Sequence, residues 1–458
     1  MPRGKRRAPT RRLRLLASCS LLALAACTSA DQTAPGGGGA LSSLEAPGQA
    51  VQGDLTLAGA VRRAIFESPE IGIADAQLDN ARAAIDLARS ERGPTVDLVG
   101  TTGVENTYSE TQTSTGLNRS EVSLGIESTL FDFGATQSGV AQRQSLASSA
   151  EFVRLDTMET VALETVSAYL DYLQSVEFAA AAASNTRNHQ RIADLVAENE
   201  RGGNATLADV NRAATRLEAA KSSELDAENA REDAIVEFRR LTGLSPAQVR
   251  IPARLAPPPR RSNTAQRRAA IVQSPELKAI AEERDALERR LDQQEAGRKP
   301  RVFVRGQGNW RNDVGGETGS AGDVSALLGF NIRLYSAGAR RAEEAQTRAR
   351  IRELDETYRL VFRDLEQEAE EVDQTLATAS ENAAFVQERF VTARDGLSLF
   401  QEQFEAGQRT AFELLDAQRD FFQAETERIN NRFERAANVY RELRLRGVLV
   451  STLLGKGG

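Results

Sequence analysis

Hydrophobic residues in this chain follow two rhythms, and the pair of rhythms occurs twice. In the second half, Leu354, Tyr358, Val361, Leu365, Ala369, Val372, Leu376, Ala379, Ala383, Val386, Phe390, Ala393, Leu397, Phe400 and Phe404 recur every three or four residues. That is the narrow apolar seam of a coiled-coil helix, close to ~3.5 residues per repeat. The first half carries a looser version in Met158, Ala162, Val166, Tyr169, Leu173, Val176, Ala180 and Ala183. No proline interrupts 135–201 or 338–406. Each stretch is therefore predicted as one helix, about 100 Å long at 1.5 Å per residue. Gly-bearing turns follow, Arg201-Gly202-Gly203-Asn204 and Ala406-Gly407-Gln408-Arg409. They put Gly202, Gly203 and Gly407 at the tips of helical hairpins, where the chain must reverse. Returning helices are predicted over 205–243 and 409–446.

Ahead of each long helix the period falls to two. Strands are predicted over about 95–108, 121–133, 301–311 and 323–335. Val122, Leu124, Ile126 and Leu130 share one face, as do Val302, Val304, Gly306, Gly308 and Trp310, and then Val324, Ala326, Leu328, Phe330, Ile332 and Leu334. Each run is about ten to thirteen residues, enough to cross a bilayer as a tilted strand. The connections Ser109–Ser120 and Arg311–Asp323 are polar. Tyr108, Phe131, Trp310 and Tyr335 fall near strand ends, where aromatic girdles sit on membrane barrels. Tyr335 fits equally an inward position or the barrel-to-helix junction.

The two halves are copies. Ser68-Pro69-Glu70 returns as Ser274-Pro275-Glu276, and Pro94 as Pro300, at one common offset. Each Ser-Pro-Glu is a helix start: serine caps, proline fits the first helical position, and glutamate suits the positive end of the dipole. Each later proline ends that helix and opens an extended run. The reading is a first repeat over 54–243, a Pro-rich linker over 244–263, a second repeat over 264–450, and a tail over 451–458.

Composition sharpens the picture. Of 458 residues, 40% are apolar but only 5% aromatic, and Ala, Glu, Arg and Gln dominate beyond about residue 135, which favours long helices. Residues 1–26 hold seven of the 58 basic residues and no acid, followed by a short apolar run, the pattern of a signal peptide. Without them 51 bases face 65 acids, a balance of −14. So acidic a chain argues against nucleic acid, which needs a basic surface to neutralise its phosphates. Leu24-Ala25-Ala26-Cys27 resembles a lipoprotein cleavage box, which would make Cys27 the first mature residue and acylate its sulfur. Leu16-Ala17-Ser18-Cys19 fits the box less well, and ordinary secretory cleavage near Ala30 is the other alternative. Residues 27–53, with Gly36 to Gly39, read as a flexible tether. No other thiol remains, and His189 is the only histidine, set within a long helix without metal-ligand partners. With no phosphate-binding glycine loop either, the chain is read as no enzyme, with no cofactor and no metal site.

Four strands cannot close a barrel in lipid, because open sheet edges leave backbone groups unpaired in hydrocarbon. Long helices with one apolar seam likewise need neighbours. Both demands require an oligomer, and neither fixes its number. The order helix, strand pair, long helix, turn, returning helix, then the same again, resembles the TolC family of outer-membrane efflux and secretion channels, from about Leu55 to Val450. The opening Leu55-Thr56-Leu57 with Ala60 and Ser68-Pro69-Glu70 is similar to that family's first segment. The turn Gly407-Gln408-Arg409-Thr410-Ala411-Phe412-Glu413-Leu414-Leu415-Asp416-Ala417 is the most specific match, and Gly203-Asn204-Ala205-Thr206-Leu207-Ala208-Asp209-Val210 is its weaker partner.

The resemblance implies a mainly α fold with a β-barrel contribution: a two-fold internal repeat with four transmembrane strands per chain joined to very long coiled-coil helices. It also implies a homotrimer, a periplasmic adaptor, an inner-membrane transporter as partner, and a location in outer-membrane lipid extending into the periplasm. By the same resemblance Glu413 and Asp416 form acidic rings at a periplasmic constriction, where crowding raises some carboxylate pKa values. Arg409 joins a neighbouring helix pair, with Asp209 as its matching partner. Two acids three apart on a helix are also what a solvated face looks like, and the residues by themselves leave both readings open. Arg201-Gly202-Gly203 departs from the Val-Gly-Leu type of tip common in the family, which bears on the adaptor that docks. The rival reading is a lipid-anchored periplasmic coiled-coil adaptor, which would not need four membrane-length strands.

Overall fold

The computed structural model describes residues 56–108, 113–249, 264–315 and 318–455. The signal peptide, Cys27, the tether, most of the inter-repeat linker and the last three residues lie outside these. Both repeats begin with two short helices. In the first these are α1 (Leu57–Glu67) and α2 (Pro69–Ser90), and in the second α5 (Thr264–Ile271) and α6 (Pro275–Ala296). Ser68 and Ser274 cap α2 and α6, accepting from the Ile71 and Leu277 backbone N–H groups at 3.4 Å each, with proline at the first helical position.

Strand pairs follow: β1 (Thr95–Tyr108) with β2 (Thr113–Phe131), and β3 (Arg301–Asn312) with β4 (Ser320–Asn331). They form one antiparallel sheet in the order β1-β2-β3-β4. Two strand ends depart from the alternation. β2 begins at Thr113, well before residue 121, because hairpin pairing to Thr107 and Tyr108 needs only backbone groups and runs on beyond the apolar stretch. β4 stops at Asn331, although its alternation runs on to Leu334 and Tyr335. Asn331 pairs with Arg301, and the residue before Arg301 is Pro300, which has no N–H to give. A shift in register between Thr129 and Phe131 sets Leu130 apart from the ladder, so Phe131, not Leu130, pairs with Val302.

Each strand-to-helix corner uses two consecutive left-handed residues, Phe133 and Gly134 in the first repeat, Ala337 and Gly338 in the second. Phe133 is held there by an edge-on contact to Phe131, with ring centroids 4.6 Å apart, and by Lys299 lying 5.4 Å over its ring. From these corners run α3 (Ala135–Arg201) and α7 (Ala339–Glu405), each 67 residues and about 100 Å long. They turn back into α4 (Leu207–Thr242) and α8 (Ala411–Leu445). A last helix, α9 (Leu449–Leu454), straddles the boundary drawn between the second repeat and the tail.

The helices form rows that continue the sheet. Near the strands, α3 packs between α2 and α6, and α6 packs on α7. The helix order α2-α3-α6-α7 thus matches the strand order, one helix per strand. Toward the tips, α4 packs on α3, α3 on α8, and α8 on α7. Both rows are open, with α7 at one end and α2 or α4 at the other. Where the rows meet, Met158, Tyr169, Phe238, Val61 and Leu449 are buried. Near the tips Ile192, Val196, Ala213, Phe404, Leu414 and Leu415 form a second apolar cluster that joins the two hairpins. Each fully buried leucine there contributes about 1.5–3 kcal/mol.

Candidate channel wall and helical tip

The register sorts the sheet into two chemically different faces. One carries the rows Val96-Ile126-Gly306-Ala326, Leu98-Leu124-Gly308-Val324 and Phe131-Val302-Phe330 across the strands. Its apolar side chains are exposed, Leu98, Leu124, Leu328 and Phe330 among them. Trp310 lies on this face, between Val122 and Gly322.

The opposite face is charged and internally paired. Glu127 takes Arg301 at 2.7 Å and Arg305 at 2.6 Å, Arg119 takes Glu121 at 2.6 Å and Glu105 at 3.6 Å, and Arg311 stands 3.7 Å from Asp323. Phe303 lies on this side directly over Gly329, where a Cβ would come within 2.6 Å of its ring. The Arg305 guanidinium stacks over the Phe303 ring, 5.3 Å from its centroid. Such a sheet suits lipid on one side and an aqueous lumen on the other. No described helix is long and apolar enough to cross a membrane.

At the far end, both hairpins close on a left-handed glycine, Gly203 at φ +80° and Gly407 at φ +72°, with Gly202 just before the first. Both returning helices start with a reciprocal cap. The Asp209 carboxylate accepts from the Thr206 N–H at 3.1 Å, and the Glu413 carboxylate from the Thr410 N–H at 2.9 Å. Arg409 donates to Glu413 at 2.7 Å and to Gln403 at 2.9 Å, and lies 4.9 Å over the Phe400 ring. Asp416 pairs with Arg419 at 3.3 Å.

Arg409 and Asp209 do not meet among the described contacts, since each is engaged on its own hairpin. In the single protomer the Glu413 carboxyl is held below its usual range, because the Thr410 N–H and the Arg409 guanidinium both favour its charged form. Thr206 does the same to Asp209.

Several residues at work here carried no sequence signal. Arg212 of α4 lies 5.2 Å over the Phe412 ring of α8, tying the two hairpins together. Higher up, the Gln418 side-chain amide N–H donates to the side-chain Oδ1 of Asn185 at 2.9 Å in a buried layer. Thr186 Oγ1, His189 Nδ1 and Gln418 Oε1, in or beside this layer, have no protein partner. Glu159 is buried in α3 and accepts from the Leu449 and Val450 N–H groups at 3.0 and 3.3 Å, and burial pushes its pKa up to about 7. In a sequence these are ordinary polar helix residues until the faces that bury them are known. Among the described residues no cluster of His, Cys, Asp and Glu is placed to hold a metal ion.

A sheet with one apolar and one charged face, continued strand by strand into a row of helices of which two are about 100 Å long, defines a subunit of the α-helical and β-barrel channel fold. A model of the outer membrane efflux protein family matches residues 60–244 and 267–444, one stretch for each repeat, and this chain belongs to that family. The chain is similar to protein CyaE of Bordetella pertussis strain Tohama I, 27% identical over 310 residues. That match covers 65% of this chain and 64% of CyaE, less than two thirds of the relative. The fold is similar to the CmeC outer membrane channel of Campylobacter jejuni, with a TM-score of 0.75 at 13% identity, covering 86% of each chain. It is also similar to the outer membrane protein VceC of Vibrio cholerae, with a TM-score of 0.74 at 14% identity, covering 85% of this chain and 96% of that one.

Proposed function

We propose that this chain is the outer-membrane channel subunit of a tripartite efflux or type I secretion system. Three copies pool their strands into a twelve-stranded barrel and their helices into one periplasmic tube, giving a passive duct. The observation that carries the reading is the pair of matched open rows: among the described elements of the protomer, β1 and β4 pair on one side only, and the end helices α4 and α7 of the lower row have no further helix of that row on their outer sides. A barrel edge left open in hydrocarbon costs several kcal/mol per unpaired group, so closure with further copies is the stable form. A lipid-anchored adaptor would have no use for a sheet with one mainly apolar face.

In this reading acylated Cys27 anchors the protomer to the outer membrane. The tips meet a periplasmic adaptor and, through it or directly, an inner-membrane transporter. Glu413 and Asp416, repeated by symmetry, narrow the tip and favour cations over anions. Arg409, already bonded to its own Glu413, reaches Asp209 of the neighbouring copy as a polar link. Supporting this, both side chains are at the surface of the protomer, beside the turns.

Outer membranes washed with carbonate should retain the protein, and it should run on gels as a detergent-resistant oligomer that heating dissociates. Release by carbonate as a monomer refutes the channel reading. Arg409→Ala and Asp209→Ala should each raise the resting conductance in planar bilayers. Two variants that stay closed would remove the link from the account.

A further inference from the structure

The end helices of the lower row carry large apolar side chains that the protomer leaves uncovered. On α4 these are Leu207, Leu225 and Val236, 66%, 63% and 62% exposed. They are separated by five and three whole turns at about 3.6 residues per turn, so they form one stripe. It points away from Ala213, Leu217 and Phe238, which are buried in the same helix. On α7 the corresponding residues are Phe385 and Leu399, 75% and 57% exposed, turned away from the buried seam of Leu365, Val372 and Leu376. Gly396 lies close to the same side of α7. A Cβ there would meet nothing within 4 Å in the protomer. The protomer therefore gives no packing reason for a glycine that weakens a long helix, whereas a second helix laid against this face would.

Heights along the helices decide how the stripes can meet. Arg389–Glu427 at 2.6 Å and the Asn431 bond to the Ala379 carbonyl at 2.8 Å set α7 against α8. Gln174–Asn430 at 2.8 Å and Asn185–Gln418 at 2.9 Å set α8 against α3. The Tyr169–Phe238 ring contact, and the apolar tip cluster that holds both Val196 and Ala213, set α3 against α4. Followed from helix to helix, these contacts place Leu399 at a height between Leu207 and Leu225 of α4, and Phe385 between Leu225 and Val236. Rotation about the axis of a tube changes direction but not height. A neighbouring copy therefore presents its α7 side chains at the gaps of this α4 stripe.

We propose that α4 of one copy and α7 of the next interlock as alternating knobs, in the ascending order Leu207, Leu399, Leu225, Phe385, Val236. The occupant of the α4 stripe is a second copy of this chain. The interlock rests on the ring assembly proposed above and names the surface that closes it. The strand edges β1 and β4, at the same ends of the row, continue the contact into the membrane.

The test uses the full chain extracted from outer membranes, with Leu225→Cys and Phe385→Cys in the same polypeptide and a short bis-maleimide as cross-linker. Dimer and trimer bands should replace most of the monomer band after boiling in detergent. A Leu225→Cys/Gln387→Cys control keeps the height but turns the second thiol to the opposite side of α7, and it should stay monomeric. Oligomers of unchanged mass in which the Phe385→Cys pair fails to link, or links no better than the control, overturn the interlock and leave the ring reading standing. A link to some second protein instead of to another copy also overturns it. An unsubstituted protein whose particles weigh one protomer sinks the ring reading, and the interlock with it.

Discussion

The buried amide pair between the two hairpins gives a prediction with a worked magnitude. Gln418 is 1% exposed and donates to Asn185 at 2.9 Å, while its own oxygen finds no protein partner. Replacing Asn185 alone by Leu strips the amide N–H of its acceptor inside an apolar seam. A buried polar group left unpaired costs about 1–3 kcal/mol. In equilibrium terms that is a factor of about 5–150. Replacing both residues by Leu removes the two polar groups together and substitutes side chains of similar size. Such exchanges are close to neutral or stabilising. The double variant should therefore be more stable than Asn185→Leu, with a coupling of about 1 kcal/mol or more between the sites. Because unfolding of an oligomeric membrane protein is seldom reversible, the assay is the rate of loss of the detergent-resistant oligomer at a fixed temperature. Asn185→Leu should lose it faster than the parent, and Asn185→Leu/Gln418→Leu as slowly or more slowly. A double variant as labile as the single one, or more so, would refute the reasoning.

Other consequences are equally direct. Glu159 has its pKa raised from 4.5 to about 7 by burial, so the folded chain holds a proton that the unfolded chain has released. Stability should fall as pH rises from about 4.5 to about 7, by roughly 3 kcal/mol at most, and Glu159→Gln should flatten that slope. Hydrogen exchange at Leu449 and Val450, whose N–H groups Glu159 holds, is the local readout. Glu413→Ala removes the reciprocal cap of α8 and should cost about 0.5–2 kcal/mol, seen as faster exchange over the first turn of that helix. In the same variant the cation preference of single channels should weaken. The parent should keep its preference below the usual carboxylate range, because Glu413 stays charged there. Adjacent residues test the two sheet faces. Leu328→Arg on the apolar face should cost about 2–4 kcal/mol near the bilayer midplane and deplete the heat-modifiable form, whereas Leu327→Arg on the charged face should leave it intact.

How much of this was legible beforehand depended on whether a residue's role is local. The fold class was readable, since the Leu365, Ala369, Val372 and Leu376 seam and the period-two runs state their partners' geometry along the chain. Gly203 and Gly407 were readable too, because a helix that reverses in so few residues needs a left-handed position. The outer end of β2 was not, since pairing past the apolar band is a matter of backbone groups that every residue carries. The lower end of β4 was set by Pro300 on another strand, a contact absent from β4's own pattern. Thr410-Ala411-Phe412-Glu413 did carry the signature of a reciprocal cap, and the helix-start role of Glu413 could have been read beside its role at a constriction. Glu159, Asn185 and Gln418 could not have been singled out, because a polar residue on a long helix gains its meaning from the helix that covers it.

The central claim is that this protomer is an unfinished part of a closed duct. The mass of the particle extracted from outer membranes in mild detergent tests it most directly. The account predicts a single species of three protomers that conducts ions when placed in a planar bilayer. A particle of one protomer, or a trimer that never conducts, would contradict it.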